Sequence, residues 1–235
     1  MITPLASTAS VLAADTWFQN PIIEQGLMPA LGETLLMVFW SSLFSIIFGL
    51  LIGIVLTATK PEGLLPNRAL YQVLAFIVNV GRSIPFIILM FVMIPLTRAV
   101  VGSATGWLGA TVPLTIAAIP YFARLVESNL TGVEQGKVEA AQMMGASRSR
   151  ILSGVLVREA MPALIQSATI LIITLVGYSA MAGAVGGGGL GQMAINYGYY
   201  RPMADVLVIL VVVIVVIVNV IQLAGDMLSR LVDHR

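Results

Sequence analysis

Apolar residues fill five stretches of this chain, each flanked by charge or by helix-breaking residues, and their lengths predict helices that cross a bilayer. A helix rises ~1.5 Å per residue and a hydrocarbon core is ~30 Å thick, so a span needs about twenty apolar residues. The first stretch runs from Thr34 to Ala58 between Glu33 and Lys60, and the fifth from Val206 to Ala224 between Asp205 and Asp226. The second, Ala69 to Leu96, is interrupted by Arg82, and the third, Leu108 to Ala123, carries Pro113 and Pro120. The fourth begins at Pro162 and ends at Ala184, where the run Gly186 to Gly189 stops a regular helix. With no water to satisfy the backbone, these stretches can cross only as helices. The expected fold is an all-α membrane protein with five transmembrane helices.

The distribution of basic residues orients the spans. With the N-terminus outside, Lys60, Arg68, Arg124, Lys137, Arg148, Arg150, Arg158, Arg230 and Arg235 are cytoplasmic, and only Arg98 and Arg201 are external. Nine against two favours a periplasmic N-terminus, and an odd span count then makes the C-terminus cytoplasmic. Residues 1–30 read as an extramembrane lead, with Trp17 and Phe18 in an interfacial turn. No Lys or Arg precedes their apolar positions, as a secretory signal would require. Residues 31–226 form the membrane domain and 227–235 a cytoplasmic tail.

Composition narrows the function. The 235 residues are 58% hydrophobic and 10% charged, with a net charge of +1, which gives no surface for nucleic acid. Cysteine is absent and His234 is the single histidine, so thiolate or histidine metal centres and catalytic triads are unavailable. The five stretches contain no Asp or Glu, and the two halves show no repeat. Both features weigh against an ion-coupled carrier, which remains one alternative; a non-transporting scaffold or receptor is another. No Walker A motif is present, since Gly136-Lys137 is followed by Val138 rather than Ser or Thr. Gly186, Gly188 and Gly191 match G-x-G-x-x-G in form, but they follow a span rather than a strand and read as a tight turn or re-entrant bend.

The longest cytoplasmic segment, Arg124 to Met161, reads as helix, turn, helix. Val138 to Met144 is a run of good helix formers; Gly145 can take the left-handed conformation that ends a helix, and Ser147 can cap the next. Ala140 and Ala141 leave little side-chain bulk, which lets a partner surface approach closely, and Met143 and Met144 offer adaptable apolar contact.

Glu139-Ala140-Ala141, Gly145-Ala146, Val155-Leu156 and Glu159-Ala160-Met161-Pro162, at these intervals, resemble the EAA loop of binding-protein-dependent ABC importer permeases. The resemblance implies that the loop forms a coupling helix seated in a groove of a separate ATPase, with Glu139, Ala140, Ala141 and Gly145 at or near the contact. It also implies two ATPase copies, a substrate-binding lipoprotein or periplasmic binding protein, a second copy of this chain and a bacterial inner membrane. No cofactor is expected on this chain; ATP and Mg belong to the ATPase. Arg158 departs from the pattern, standing where the family often has proline, so the expected bend before span four rests on Pro162.

Three further stretches are similar to the D- and L-methionine permease branch of that family. They are Arg82-Ser83-Ile84-Pro85-Phe86-Ile87 with Ile94-Pro95-Leu96-Thr97-Arg98; Gly177-Tyr178-Ser179-Ala180-Met181; and Gly188-Gly189-Leu190-Gly191 leading to Tyr197-Gly198-Tyr199. Methionine import by alternating access is the implied activity, with import of another amino acid or small solute by the same family as the alternative. Arg82, ~18 Å into its span, and Ser83 face a subunit interface or wet cavity, or else Arg82 satisfies backbone loosened by Pro85 in a kinked helix. Tyr178, Ser179 and Met181 are either a gate before the glycine run or ordinary packing. Gly49 and Gly53 form a small-xxx-small face for packing within the subunit or across a dimer.

Overall fold

The computed structural model describes residues 20–233, all of whose regular elements are helical. Trp17, Phe18, His234 and Arg235 lie outside the described residues. In chain order the helices are α1 Pro21–Thr59, α2 Arg68–Ser83, α3 Phe86–Val92, α4 Ile94–Val101, α5 Gly106–Thr131, α6 Gln135–Met143, α7 Arg148–Ile151, α8 Val157–Gly183, α9 Gly189–Ala194 and α10 Ala204–Val232. A π-helical turn, Leu152–Leu156, joins α7 to α8, and a second, Ile195–Tyr199, follows α9.

Among the described residues, four helices are long and apolar enough to cross a bilayer: α1, α5, the continuous Arg148–Gly183 rod and α10. The pair α2 and α3 makes a fifth if counted as one span, but it is bent by 102°. Here the structure corrects the kinked-helix reading. Ile84 is extended, Pro85 stands as the N-cap of α3, and the break is complete. Proline disfavours the helical conformation of the residue before it and has no N–H to continue the ladder, so the break falls where both constraints coincide.

Three helices also run beyond the apolar stretches that mark them in the sequence. Helix α1 starts at Pro21, with the Asn20 side chain accepting from the Ile22 N–H at 3.0 Å and donating to Asp205 at 2.8 Å. Pro162 lies inside α8 and starts nothing: the helix runs back through the π-helical turn to Ser147. Helix α5 runs on to Thr131, past the apolar stretch that ends at Ala123, and carries Glu127 in that extension. Glu127 is buried and accepts from Arg124 at 2.6 Å and from the Tyr71 hydroxyl at 3.2 Å, so its charge is compensated where α2 meets α5.

The core is built on α1 against α5. Gly49 and Gly53 face Phe122 and Val126, and an added Cβ at Gly53 would stand 2.5 Å from that of Val126. The small-residue face therefore packs within the subunit. Ser41 and Ser45 hydroxyls donate to the carbonyls of Thr111 and Thr115, each at 3.3 Å, the close polar approach that membrane helices use in place of a hydrophobic drive. Helix α8 is tied to α5 by Asn129, which donates to Ser167 at 2.8 Å, and to α10 by Ser229, which donates to the Pro162 carbonyl at 3.1 Å. Large apolar side chains such as Phe39, Phe76, Phe91, Val212 and Val216 point outward, as expected where the solvent is lipid.

Candidate coupling surface and transport path

Helix α6 ends in a complete Schellman motif. Gly145 takes φ +77°, its N–H donates to the Gln142 carbonyl at 2.9 Å, and the Ala146 N–H donates to the Ala141 carbonyl at 3.0 Å. Ser147 then accepts from the Arg150 N–H at 3.4 Å and opens α7. The local chemistry thus turns the chain sharply and leaves Met143 and Met144 90% and 81% exposed at the tip.

The four residues singled out for coupling do not share one face. Ala140 and Gly145 are exposed, and Glu139 is exposed and accepts from Gln135 at 2.8 Å. Ala141 is buried, so it lets α6 sit close to its own subunit. Lys137, on the same helix, pairs with Glu159 of α8 at 2.5 Å. A cavity of about 850 Å³ separates α6 from the loop after α1 and is lined by Lys60, Glu62, Gln135, Glu139 and Arg148 among others.

At the other end of the bundle, the glycine run is a turn followed by a helix that folds back on α8. Gly186, Gly188 and Gly189 all have positive φ, and an added Cβ on Gly191 would collide with the Ala180 carbonyl. Three side chains hold the start of α9. Glu33 accepts from the Gly189 N–H at 2.6 Å, Thr34 from the Leu190 N–H at 2.9 Å, and Gln192 from the Gly188 N–H at 2.8 Å. A cavity of about 750 Å³ opens between this loop and the start of α1.

Between the two ends, the break after α2 meets α8. Phe86 stacks on Tyr178 with ring centroids 4.7 Å apart and planes 3° from parallel. Met181 is 47% exposed on the subunit surface. Ser179 is turned the other way: it is buried and donates to its own helix at the Val176 carbonyl, at 2.7 Å. Arg82 and Ser83 are exposed at the end of α2, where the Ser83 hydroxyl donates to the Asn79 carbonyl at 2.8 Å. Among the described residues Arg82 has neither an ion pair nor a hydrogen bond to the carbonyls of the broken turn. Glu33, Thr34 and Lys137 escape a search for named motifs. The signal available for the first two is a polar pair at a span boundary; for Lys137 it is an acidic residue in the next helix.

Among the described residues no group of three or more histidine or acidic side chains could hold a metal. The chain matches the binding-protein-dependent transport system inner membrane component family over residues 45–235. It is 49% identical to the probable D-methionine transport system permease protein MetI of Vibrio cholerae over 209 residues, 89% of this chain and 93% of that one. It is 47% identical to the D-methionine transport system permease protein MetI of Escherichia coli K12 over 157 residues, 67% of this chain and 72% of that one. A solved inward-facing structure of the MetNI methionine ABC transporter superposes with a TM-score of 0.89 at 45% identity, covering 92% of this chain and all of that one. A solved amino acid ABC transporter with histidines shares the fold, with a TM-score of 0.70 at 18% identity. On this evidence the chain belongs to the family of inner membrane components of binding-protein-dependent transport systems.

Proposed function

We propose that this chain is the permease subunit of an ATP-driven methionine importer in a bacterial inner membrane. Its relatives are named for D-methionine transport and a solved neighbour is the MetNI methionine ABC transporter, which supports the substrate. Two copies enclose the path. Each crosses five times, with α2 and α3 together as one interrupted crossing, the N-terminus outside and the C-terminus in the cytoplasm, as the basic residues favour. A binding protein delivers substrate from outside, and two ATPase subunits work from within.

Helix α6 is the coupling helix. The observation that carries this reading is its tip, where Gly145 reverses the chain and Met143 and Met144 stand almost fully exposed beside Ala140. Adaptable apolar side chains on a small-residue surface suit a groove in a moving partner. Glu139, Ala140 and Gly145 meet the ATPase, and Ala141 seats the helix on its own subunit. ATP binding draws the ATPase subunits together and moves α6, and the Lys137–Glu159 pair passes the movement to α8. Arg82, Ser83 and Met181 face the path, with Met181 as gate and Tyr178 held behind it by Phe86. Ser179 keeps to its own helix.

Reconstitution with the cognate ATPase and binding protein in liposomes tests the proposal. ATP-dependent uptake of labelled methionine, unaffected by ionophores and competed by unlabelled methionine, is the expected result. Uptake that collapses with an ionophore and ignores ATP would make this an ion-coupled carrier instead.

A further inference from the structure

Helix α2 has three faces, and only two are what a membrane helix needs. One packs on α5: Val78 is buried, and Gly81 lies so close to Pro120 that an added Cβ would stand 3.0 Å from its ring. The second is apolar and exposed, carrying Val73, Ile77 and Val80. The third is polar and exposed, carrying Gln72, Asn79 and Ser83. At ~100° per residue these last three fall within about 40° of one another and about 110° from the apolar stripe. Side-chain amides that face neither lipid headgroups nor a partner are costly in hydrocarbon. The side chains of Gln72 and Asn79 make no hydrogen bond among the described residues.

Arg82 flanks this stripe at the end of the helix, and it is the only charged residue between Arg68 and Arg98. Beside it, the carbonyls of the last helical turn have no following N–H to meet, because Ile84 is extended and Pro85 has none. A guanidinium next to open carbonyls offers a cation for a carboxylate and acceptors for an ammonium. Phe76, exposed at the edge of the stripe, adds apolar surface.

We propose that Gln72, Asn79 and Ser83 line a water-filled path and that Arg82, at its end, receives the carboxylate of a zwitterionic amino-acid substrate. This rests on the proposed transport reading and names the surface that the substrate touches. Two stripes on one helix then separate two solvents: water and substrate on one side, lipid on the other.

The chain has no native cysteine, so label found on this subunit, separated from the ATPase after the reaction, reports the single introduced cysteine alone. Gln72→Cys, Asn79→Cys and Ser83→Cys are placed singly in the permease–ATPase complex in liposomes and labelled with an anionic, membrane-impermeant methanethiosulfonate. They are expected to react several-fold faster than Val73→Cys, Ile77→Cys and Val80→Cys. Arg82→Gln is expected to slow labelled methionine uptake about tenfold or more, with Arg82→Lys between it and the parent, since a charge-assisted contact is lost in one and retained in part in the other. Equal labelling at all six positions would overturn the path, as would disulfides between two copies through Gln72→Cys with no labelling. Unchanged uptake by Arg82→Gln would overturn its role. In each case ATP-driven uptake by the unsubstituted complex still stands; its absence would instead remove the transport reading.

Discussion

Lys137 of α6 and Glu159 of α8 form an ion pair of 2.5 Å that links the candidate coupling helix to the long helix that follows it. Both side chains are more than a third exposed, at 40% and 37%, so the pair adds at most ~1 kcal/mol to stability. In the proposed coupling its role is transmission. Lys137→Gln is therefore expected to leave the melting temperature nearly unchanged and to lower methionine taken up per ATP hydrolysed by several-fold. The exchange Lys137→Glu with Glu159→Lys should recover part of the loss. An unaltered uptake-to-ATP ratio in Lys137→Gln would reduce the pair to a surface contact.

Met143 and Met144 touch little of their own subunit, so replacing both with serine is expected to cost the isolated chain less than ~0.5 kcal/mol. Capture of the ATPase should fall about tenfold, the effect of losing one or two apolar anchors from an interface. Co-purification and stimulated ATP hydrolysis measure it. Full retention of the ATPase would move the contact elsewhere.

Two glycines in α1 should respond in opposite senses to alanine. An added Cβ at Gly53 would lie 2.5 Å from the Val126 Cβ and 2.7 Å from the Ala123 carbonyl, so Gly53→Ala must push α1 from α5, at ~1–3 kcal/mol. Gly32 has nothing within 4 Å, and Gly32→Ala should stabilise by up to ~1 kcal/mol through helix propensity alone. Thermal unfolding in detergent separates the two.

Glu33 and Thr34 hold the start of α9 by accepting from consecutive backbone N–H groups. Removing an acceptor from a buried donor costs ~1–3 kcal/mol. Thr34→Val keeps the shape and loses the bond, so amide exchange is expected to rise across residues 186–194 while α5 stays protected. Uniform protection in the variant would show that packing alone holds the loop.

The legible parts of the chain were those settled by local chemistry. Gly145 and Ser147 announce a helix stop and a helix start within three positions, and the structure has both. The fourth apolar stretch starts only at Pro162 because Arg148, Arg150 and Arg158 break the apolar run before it; charge marks the end of the membrane, not the end of the helix that Ser147 opens. The complete break at Pro85 was hidden for the converse reason. Apolar residues continue through it, and an apolar run carries no direction. Gln72 and Asn79 were missed because they sit in a stretch read for average hydropathy; their angular position, visible in their spacing with Ser83, is what sets them apart. Glu33 and Thr34 act on a loop more than 150 residues away, and no local pattern encodes that meeting.

The unbroken Arg148–Gly183 helix spans 36 residues, about 54 Å from end to end. A rotation of about 5° around its α7 end would carry Gly183, and the glycine turn after it, roughly 5 Å sideways by simple trigonometry on that length. The chain thus has a built-in ratio between a small swing at one face of the membrane and a molecule-sized displacement at the other. The π-helical turn at Leu152–Leu156 lies close to the pivot, where a given local bend changes that displacement most.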